Sequence, residues 1–426
     1  MDETGVLIAG AGPIGLTTAI ELRRRGVSCR IIDPLLEPPQ YAKAVGIQPR
    51  TLEVFEGMGV LRQVLDAAIR LRGQILYING AEVARMDLSL PPEVPFTDGV
   101  LVCIPLPGRS RYRISMLVPD ELASAPAADG DNIAHGFESG RIPELSHLQA
   151  VLDRLGPEPA KASELRWSSV FRISHRIVDS YSRGRAFVAG DAAHIHPPTG
   201  AQGMNTGIQD AHNLAWKLAL AVEGDAATDL LASYDAERRP VGEEVVGRTV
   251  RSAREGIGAD STDPDYVMQR EAQLLIEYGD SPIVDESFDE ATPRPGSRAP
   301  DVAGLTRDAV SFDVRLFSLF GRIEHTILIY ADETATAPDL REFEQLAAAA
   351  NVTAHGHLDA YLIAAPKADV AETILPLIRD TGGKFAHSYR ARHRSVFVVR
   401  PDGYLGFARR PASSAEVTDY LKSTFR

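Results

Sequence analysis

Cysteine is nearly absent, with only Cys29 and Cys103 in 426 residues, which excludes a disulfide framework and a cysteine-built zinc cluster. Both lie in apolar, strand-like runs and read as reduced, buried thiols. A basic excess is also lacking: 45 Lys and Arg face 58 Asp and Glu, a formal charge of −13. That charge repels a phosphate backbone, and no Lys/Arg run offsets it, so nucleic acid is not expected as a partner. The densest basic cluster, Arg23-Arg24-Arg25, falls at the end of an expected helix, where cations suit the C-terminal dipole, and reads as a solvated helix end. No stretch approaches the roughly 20 apolar residues of a membrane span. The opening Met1-Asp2-Glu3 lacks the basic region and apolar core of an export signal. The expectation is therefore no membrane and a cytoplasmic location.

What remains is an ordinary globular composition, 44% hydrophobic and 24% charged, long enough for two or three domains. Residues 5 to 33 read as a βαβ unit: a strand Val6 to Ala9, a glycine turn, a helix from Pro13 to Arg25, Gly26 as its stop, and a strand Ser28 to Ile32. Continuous apolar runs joined by a helix imply parallel strands covered on both faces, and hence an α/β fold with a doubly wound, Rossmann-like sheet. From Gln74 to Leu90 the pattern turns to short strands, with Asn79-Gly80 as a hairpin signal. A second hairpin is expected from Val100 to Leu106 and Arg111 to Val118, the two forming an antiparallel platform. Residues 123 to 140 read as a surface loop. Arg185 to Ala189 reads as a buried strand that returns the chain to the first domain, followed by a helix from Gly207 to Ala221.

After the linker Pro293-Arg294-Pro295-Gly296 the strand and helix alternation begins afresh. Strands are expected at His325 to Tyr330, Ala360 to Ala365, Ser395 to Arg400 and Tyr404 to Phe407. Helices are expected at Asp339 to Ala350, Val370 to Arg379 and Ser414 to Thr424. That order resembles thioredoxin, yet the segment has no cysteine, which excludes thiol redox chemistry there. The resulting division is 1–73 with 171–290 as a discontinuous cofactor domain, 74–170 as a β-sheet substrate domain, and 295–426 as a thioredoxin-like α/β domain without a CxxC.

Gly10-Ala11-Gly12-Pro13-Ile14-Gly15 completes a GxGxxG pattern between a strand and a helix. The glycines allow a tight turn, close approach of backbone to a pyrophosphate, and close helix-to-strand contact. The helix N-terminus then faces the phosphates with unpaired N–H groups. Asp33 closes the second strand, where a carboxylate can accept from ribose hydroxyls. This motif indicates a dinucleotide but does not distinguish FAD from NAD.

A second run does, Gly184-Arg185-Ala186-Phe187-Val188-Ala189-Gly190-Asp191-Ala192-Ala193-His194, continuing through Pro197-Pro198-Thr199-Gly200-Ala201-Gln202-Gly203-Met204-Asn205-Thr206-Gly207-Ile208-Gln209-Asp210. Here the sequence resembles the class A flavoprotein aromatic hydroxylases, the group that includes phenol hydroxylase and the polyketide hydroxylases of aromatic antibiotics. The resemblance implies FAD, with Asp191 holding a ribityl hydroxyl. Gly203, Met204 and Asn205 would start a helix beneath the flavin, where N–H groups and helix dipole favour negative charge. A third fragment, Lys43-Ala44-Val45-Gly46-Ile47-Gln48-Pro49-Arg50, also resembles the family. Lys43 stands where the family usually has an arginine on the pyrophosphate, keeping the charge without the bidentate fork, and Gln48 joins the cofactor-binding set. Arg50 reads either as a ligand or as a helix-surface cation paired with Glu53 or Glu56. His194 and His196 read as packed or hydrogen-bonded rather than as a metal pair, so no metal is expected, and Trp167 and Trp216 read as core residues.

The activity implied is hydroxylation of a phenolic or polycyclic aromatic substrate with NADPH (or NADH) and O2 through a flavin hydroperoxide. Pro197 and Pro198 are the substrate-side candidates, and no catalytic base is identified. In phenol hydroxylase an aspartate precedes the glycine equivalent to Gly46; here it is Val45, which favours a larger substrate than simple phenol. The alternative is a catalytically incomplete FAD-binding scaffold, because between Phe96 and Val100 the family carries on the order of a hundred further residues, a domain's worth of chain. A homodimer is compatible with the C-terminal domain, as is a cover over the pocket.

Overall fold

The computed structural model describes residues 4–37, 44, 46–71, 73–78, 81–87, 101–116, 142–170, 174–196, 199–255, 261–286, 293–320, 323–370 and 372–426. The chain opens with β1 (Val6–Ala9), α1 (Pro13–Arg24) and β2 (Cys29–Ile32). The two strands pair in parallel, Val6 opposite Cys29 and Ala9 opposite Ile32. Pro13 sits in the first turn of α1, where a missing N–H costs nothing. At the other end of α1, Arg24 and Arg25 both bond Glu21, and the Arg25 side chain is buried. That end is thus solvated at Arg23, as expected, but Arg25 is drawn inward onto Glu21.

Next come α2 (Pro49–Gly57) and α3 (Leu61–Ala67), then the hairpins β3 (Gly73–Ile78) with β4 (Ala81–Asp87) and β5 (Leu101–Pro105) with β6 (Tyr112–Met116). Both hairpins fall where the sequence placed them, but among the described residues each is a separate two-stranded sheet. The Asn79-Gly80 turn and the 123–140 loop lie outside the described residues. After α4 (Leu145–Leu155) come β7 (Arg176–Ile177), β8 (Ser182–Arg183), β9 (Ala186–Phe187) and β10 (His194–Ile195). Then follow the long helices α5 (Gly203–Glu223) and α6 (Ala232–Glu255), and the shorter α7 (Pro264–Glu271).

The doubly wound sheet is the first correction. Among the described residues the parallel sheet of this half consists of β1 and β2 alone. The run Arg185 to Ala189, expected as a buried strand, forms only the two residues of β9, which fold back on β8 around Gly184 (φ 60°). A left-handed glycine at that point closes a tight hairpin and turns the chain away from β1. Helices α1 and α5 cover one face of the pair through Ile8, Ala19, Leu22, Ala215 and Ala219. On the other face Leu7 is 59% and Ile32 50% exposed.

The C-terminal unit contains β11 (His325–Ala331), α8 (Ala337–Thr353), β12 (Leu358–Ala364), β13 (Leu377–Arg379), α9 (Lys384–Ser388), β14 (Ser395–Val399), β15 (Leu405–Arg409) and α10 (Ser414–Leu421). Its sheet runs in the order β13-β12-β11-β14-β15, with the first three strands parallel and the last two antiparallel. The segment Val370 to Arg379, expected to be helical, makes a turn in which Thr373 N donates to Val370 O, and it ends as β13, paired with Leu362–Ala364. Pro376 explains the difference: proline disfavours helical backbone at Leu375 and cannot donate within a helix, while its carbonyl accepts from Leu362 N. The main hydrophobic core surrounds this sheet and reaches Trp216 and Leu220 of α5.

Two further expectations change. Cys29 is half-buried and Cys103 is exposed. Trp216 is buried, but Trp167 is 39% exposed. Among the described residues no helix is long and apolar enough to cross a membrane.

Candidate functional site

The glycine loop between β1 and α1 is shaped by close approach. Gly10 adopts φ 108°, which favours glycine, and its N–H donates to Ile32 O at 2.8 Å. A Cβ on Gly15 would stand 1.9 Å from Gly10 O, so only glycine lets α1 start this near β1. At Gly12 the situation is opposite: a Cβ there would meet nothing within 4 Å. The loop therefore has open space in front of it, at the positive end of α1, where first-turn N–H groups lack intrahelical acceptors. Asp33 closes this mouth. Its carboxylate accepts from Ala11 N at 2.7 Å and Leu35 N at 2.8 Å, and those two amides hold it below the usual carboxylate range. It is exposed and ionised, with acceptor capacity to spare.

Ile14 brings the second motif to the first. A Cβ on Gly190 would lie 2.9 Å from Ile14 Cγ1, and one on Gly207 would lie 2.8 Å from that atom and 2.9 Å from Gly190 Cα. Three positions separated by some 190 residues of chain thus meet at a contact that only two glycines allow. Gly190 begins a short 3-10 turn, Gly190–Ala192, that presents Asp191 at the surface beside the glycine loop.

Behind that turn lies a residue not singled out from sequence. Asp210 of α5 is fully buried; Oδ2 accepts from Gly190 N at 3.1 Å and lies 3.0 Å from His194 Nε2, while Oδ1 accepts from Arg238 Nε at 2.8 Å. Burial raises its carboxyl, but Arg238 and His194 outweigh that and hold it below the ordinary range. Arg238 also donates to Tyr278 Oη and Thr206 O. Asp210 thereby fixes the turn carrying Asp191. Its signal in the sequence was a carboxylate seven residues, about two helical turns, after Gly203. His194 is committed to Asp210, in keeping with a hydrogen-bonded rather than metal-binding histidine.

The third fragment joins through Asn205. Its Oδ1 accepts from Gln48 N at 2.8 Å, and its Nδ2 donates to Gly46 O at 3.0 Å and Ala201 O at 2.6 Å. Gln48 Nε2 donates to Gly200 O at 2.8 Å. The Asn205 side chain is thus consumed in holding the fragments together, and the residue is fully buried where α5 begins. Met204 packs beside Val54, Met58 and Ile208. Lys43, Pro197 and Pro198 lie outside the described residues. Arg50 is not a surface cation: it is 4% exposed, bonds Glu53 Oε2 at 2.7 Å and donates to Asp402 O at 2.6 Å.

A strand, glycine loop and helix meeting a second aspartate-bearing turn and helix N-terminus define a site for an extended phosphate-containing cofactor. Comparison with known proteins bears on which cofactor that is. Residues 3–98 and 142–249 match the family described as FAD binding domain. The 6-methylpretetramide 4-monooxygenase of Streptomyces rimosus is 32% identical over 59% of this chain and 61% of its own length. The pentachlorophenol 4-monooxygenase of Sphingobium chlorophenolicum is 26% identical over 81% of this chain and 82% of its own. In fold, the chain is similar to the flavin-dependent monooxygenase PieE, solved with FAD and substrate: TM-score 0.69, 19% identity, 98% of this chain and 97% of that one. The chain thus carries the FAD binding domain over just under half of its residues, and it is similar to flavin-dependent monooxygenases over most of its length. The alignment with the pentachlorophenol enzyme runs over 453 positions while covering 81% of 426 residues, so about a hundred of its positions face no residue here, on the order of one small domain.

Proposed function

We propose that this enzyme hydroxylates a phenolic ring of polycyclic size, one atom of O2 entering the ring and the other leaving as water, with NADPH (or NADH) as reductant. The carrying observation is the convergence of three sequence-distant fragments, through Ile14, Gly190, Gly207 and Asn205, on one open-fronted site. In this reading Gly10, Gly12, Pro13, Ile14 and Gly15 cradle the FAD pyrophosphate, Lys43 adds positive charge, and Asp33 accepts from the adenosine ribose. Asp191 accepts from a ribityl hydroxyl. Gln48 and the N–H groups of Gly203, Met204 and Asn205 lie along the flavin, where the positive end of α5 favours negative charge on the ring. FAD bound there supplies the redox chemistry with O2 and the nicotinamide. The chain's own tasks are to orient the ring and keep water out, with Pro197 and Pro198 on the substrate side. A large substrate is supported by Val45, which offers no carboxylate where phenol hydroxylase has one.

The same reading divides the chain into 1–73 with 171–290, 74–170, and 295–426. The last unit is taken as thioredoxin-like, supported by three parallel strands continued by an antiparallel pair. It also places the positions that face no residue here between Phe96 and Val100. That shortfall favours a second outcome, a protein that holds FAD without being reduced by NADPH.

Turnover separates the two. NADPH oxidation stimulated by polycyclic phenols and coupled to a hydroxylated product supports the enzyme, whereas bound flavin that NADPH leaves oxidised supports the scaffold. Asp191→Ala is expected to release FAD, and an Asp191→Ala protein that purifies fully yellow would overturn the site assignment. Intact mass checks the shortfall, since a mass well above 46.1 kDa reveals further chain.

A further inference from the structure

Helix α2 turns one face entirely toward the C-terminal unit. At three-residue spacing, Arg50 donates to Asp402 O, Glu53 Oε1 bonds Arg298 Nη1 at 3.0 Å, and Glu56 Oε1 bonds Arg315 Nη1 at 3.0 Å. The Arg50 guanidinium lies 5.0 Å from the centre of the Tyr404 ring. The φ of 81° at Gly403 favours glycine for its backbone, and a Cβ there would lie 3.4 Å from Arg50 Nη2, in ordinary contact.

The same turn holds α5. Asp402 Oδ2 accepts from Asn213 Nδ2 at 3.0 Å and Trp216 Nε1 at 3.3 Å. Its neighbour Arg400 grips Glu237 of α6 with both terminal nitrogens, at 2.7 and 2.8 Å, and Glu237 bonds Lys217 of α5 at 2.7 Å. All four charged groups are fully buried or nearly so. A buried network of this kind holds one geometry while complete and is costly when half-broken.

Asp402 therefore ties together, by its carbonyl and its carboxylate, the two helices whose N-terminal ends carry Gln48 and Gly203 to Asn205. Arg50 is two residues from Gln48. Asn213 is eight residues from Asn205, about 12 Å along the helix.

We propose that the Arg400–Gly403 turn of the C-terminal unit is a positioning element of the FAD site, with Asp402 and Arg50 as positioning residues that set α2 and α5 in register against the cofactor. This rests on the reading above that FAD lies against those helix ends. It gives the C-terminal unit a part in cofactor binding although none of its residues belongs to the proposed site.

The test uses full-length apoprotein titrated with FAD, followed by flavin fluorescence and by the visible spectrum of the bound flavin. Asp402→Asn, which weakens the carboxylate's hold on α5 and Arg400, and Arg50→Gln, which cuts the tie to α2, are each expected to weaken FAD binding about tenfold and to shift the bound-flavin spectrum. Arg50→Lys, still able to reach the carbonyl, recovers part of the loss. Arg409→Gln serves as the control for generic loosening: its bonds run to Asp285 and Glu416, so it lowers the melting temperature and leaves FAD affinity unchanged. Wild-type affinity and spectrum in both Asp402→Asn and Arg50→Gln overturn the proposal. Should Asp402→Asn fail to fold, Arg50→Gln against Arg50→Lys decides it, because equal affinity in those two at the wild-type level is the same negative result. If Asp191→Ala releases FAD while the positioning variants do not, positioning alone falls; if Asp191→Ala retains FAD, the site reading falls and this proposal with it.

Discussion

Strands β1 and β11 hold equivalent places in the two halves of the molecule, each pairing in parallel with a strand reached through a helix, yet they are buried very differently. All seven residues of β11 are buried, whereas in β1 only Ile8 is. The reason is neighbours. β11 lies at the centre of five strands, and β1 pairs only with β2 among the described residues. Parallel strands are built for cover on both faces, and the amino-terminal pair has it on one. That half depends on what α5 and α6 bring to it, namely the Asp210 and Arg238 hub and the buried charges shared with the C-terminal unit, and on the cofactor itself. The C-terminal unit carries a continuous core of its own.

The sharpest way to break this comparison is to cut the shared network. Glu237→Ala leaves Lys217 and Arg400 buried without a shared carboxylate, which costs on the order of 3 to 5 kcal/mol. Chemical denaturation is expected to show the amino-terminal half unfolding first, while the C-terminal unit retains its transition. A single cooperative transition shifted as a whole would mean the two halves are not separable.

A smaller effect is expected at the glycine loop. Gly15→Ala forces a methyl against Gly10 O, an overpacking cost of about 1 to 3 kcal/mol, and should reduce the stability of apoprotein and FAD affinity together. Unchanged stability would show that α1 can back away from β1.

Acid probes both halves at once. Burial pushes His212 of α5 down to about 4 and His325 of β11 down to about 3. In the unfolded chain both titrate near 6.5. As pH falls below that value the unfolded state takes up protons the folded state refuses, so stability is lost from about pH 6.5 toward 4 and 3. The slope is up to about 1.4 kcal/mol per pH unit for each ring. Denaturant melts at pH 7 and pH 5 measure it, and His325→Leu should flatten the slope of the C-terminal transition. Equal stability at both pH values would mean that neither ring stays neutral.

The smallest expected change in stability is the most informative about the site. Gly12→Ala adds a methyl where no protein atom lies within 4 Å, so apoprotein stability should stay within about 0.5 kcal/mol while FAD affinity drops. Gly15 then acts on the fold and Gly12 on the ligand, and an equal effect on stability from both would remove that distinction.

Much of the site was legible in the chain because its chemistry is local. Gly10 to Gly15 needs only a strand before it and a helix after it, and the fragment from Gly190 to Asn205 carries its own turn and helix start. The hairpins and most C-terminal elements were legible for the same reason, since period and turn residues act over a few neighbours. Where local pattern misled, a longer-range partner decided. Val370 to Arg379 looked helical until β12 offered it a ladder and Pro376 removed the alternative. Arg185 to Ala189 looked like a core strand, but the Gly184 turn folded it onto β8.

By itself, then, the amino-acid sequence determined the class of cofactor, the amino-terminal βαβ unit and the glycine loop within it, because each depends on residues near one another in the chain. Tertiary structure alone decided that Asp210 braces the Asp191 turn, that the Asn205 side chain is spent on Gly46, Gln48 and Ala201, and that Arg50 is buried against Asp402, 352 residues away. A buried charge is tolerable only beside its partner, and which partner that is depends on how distant segments pack, a property no stretch of sequence displays.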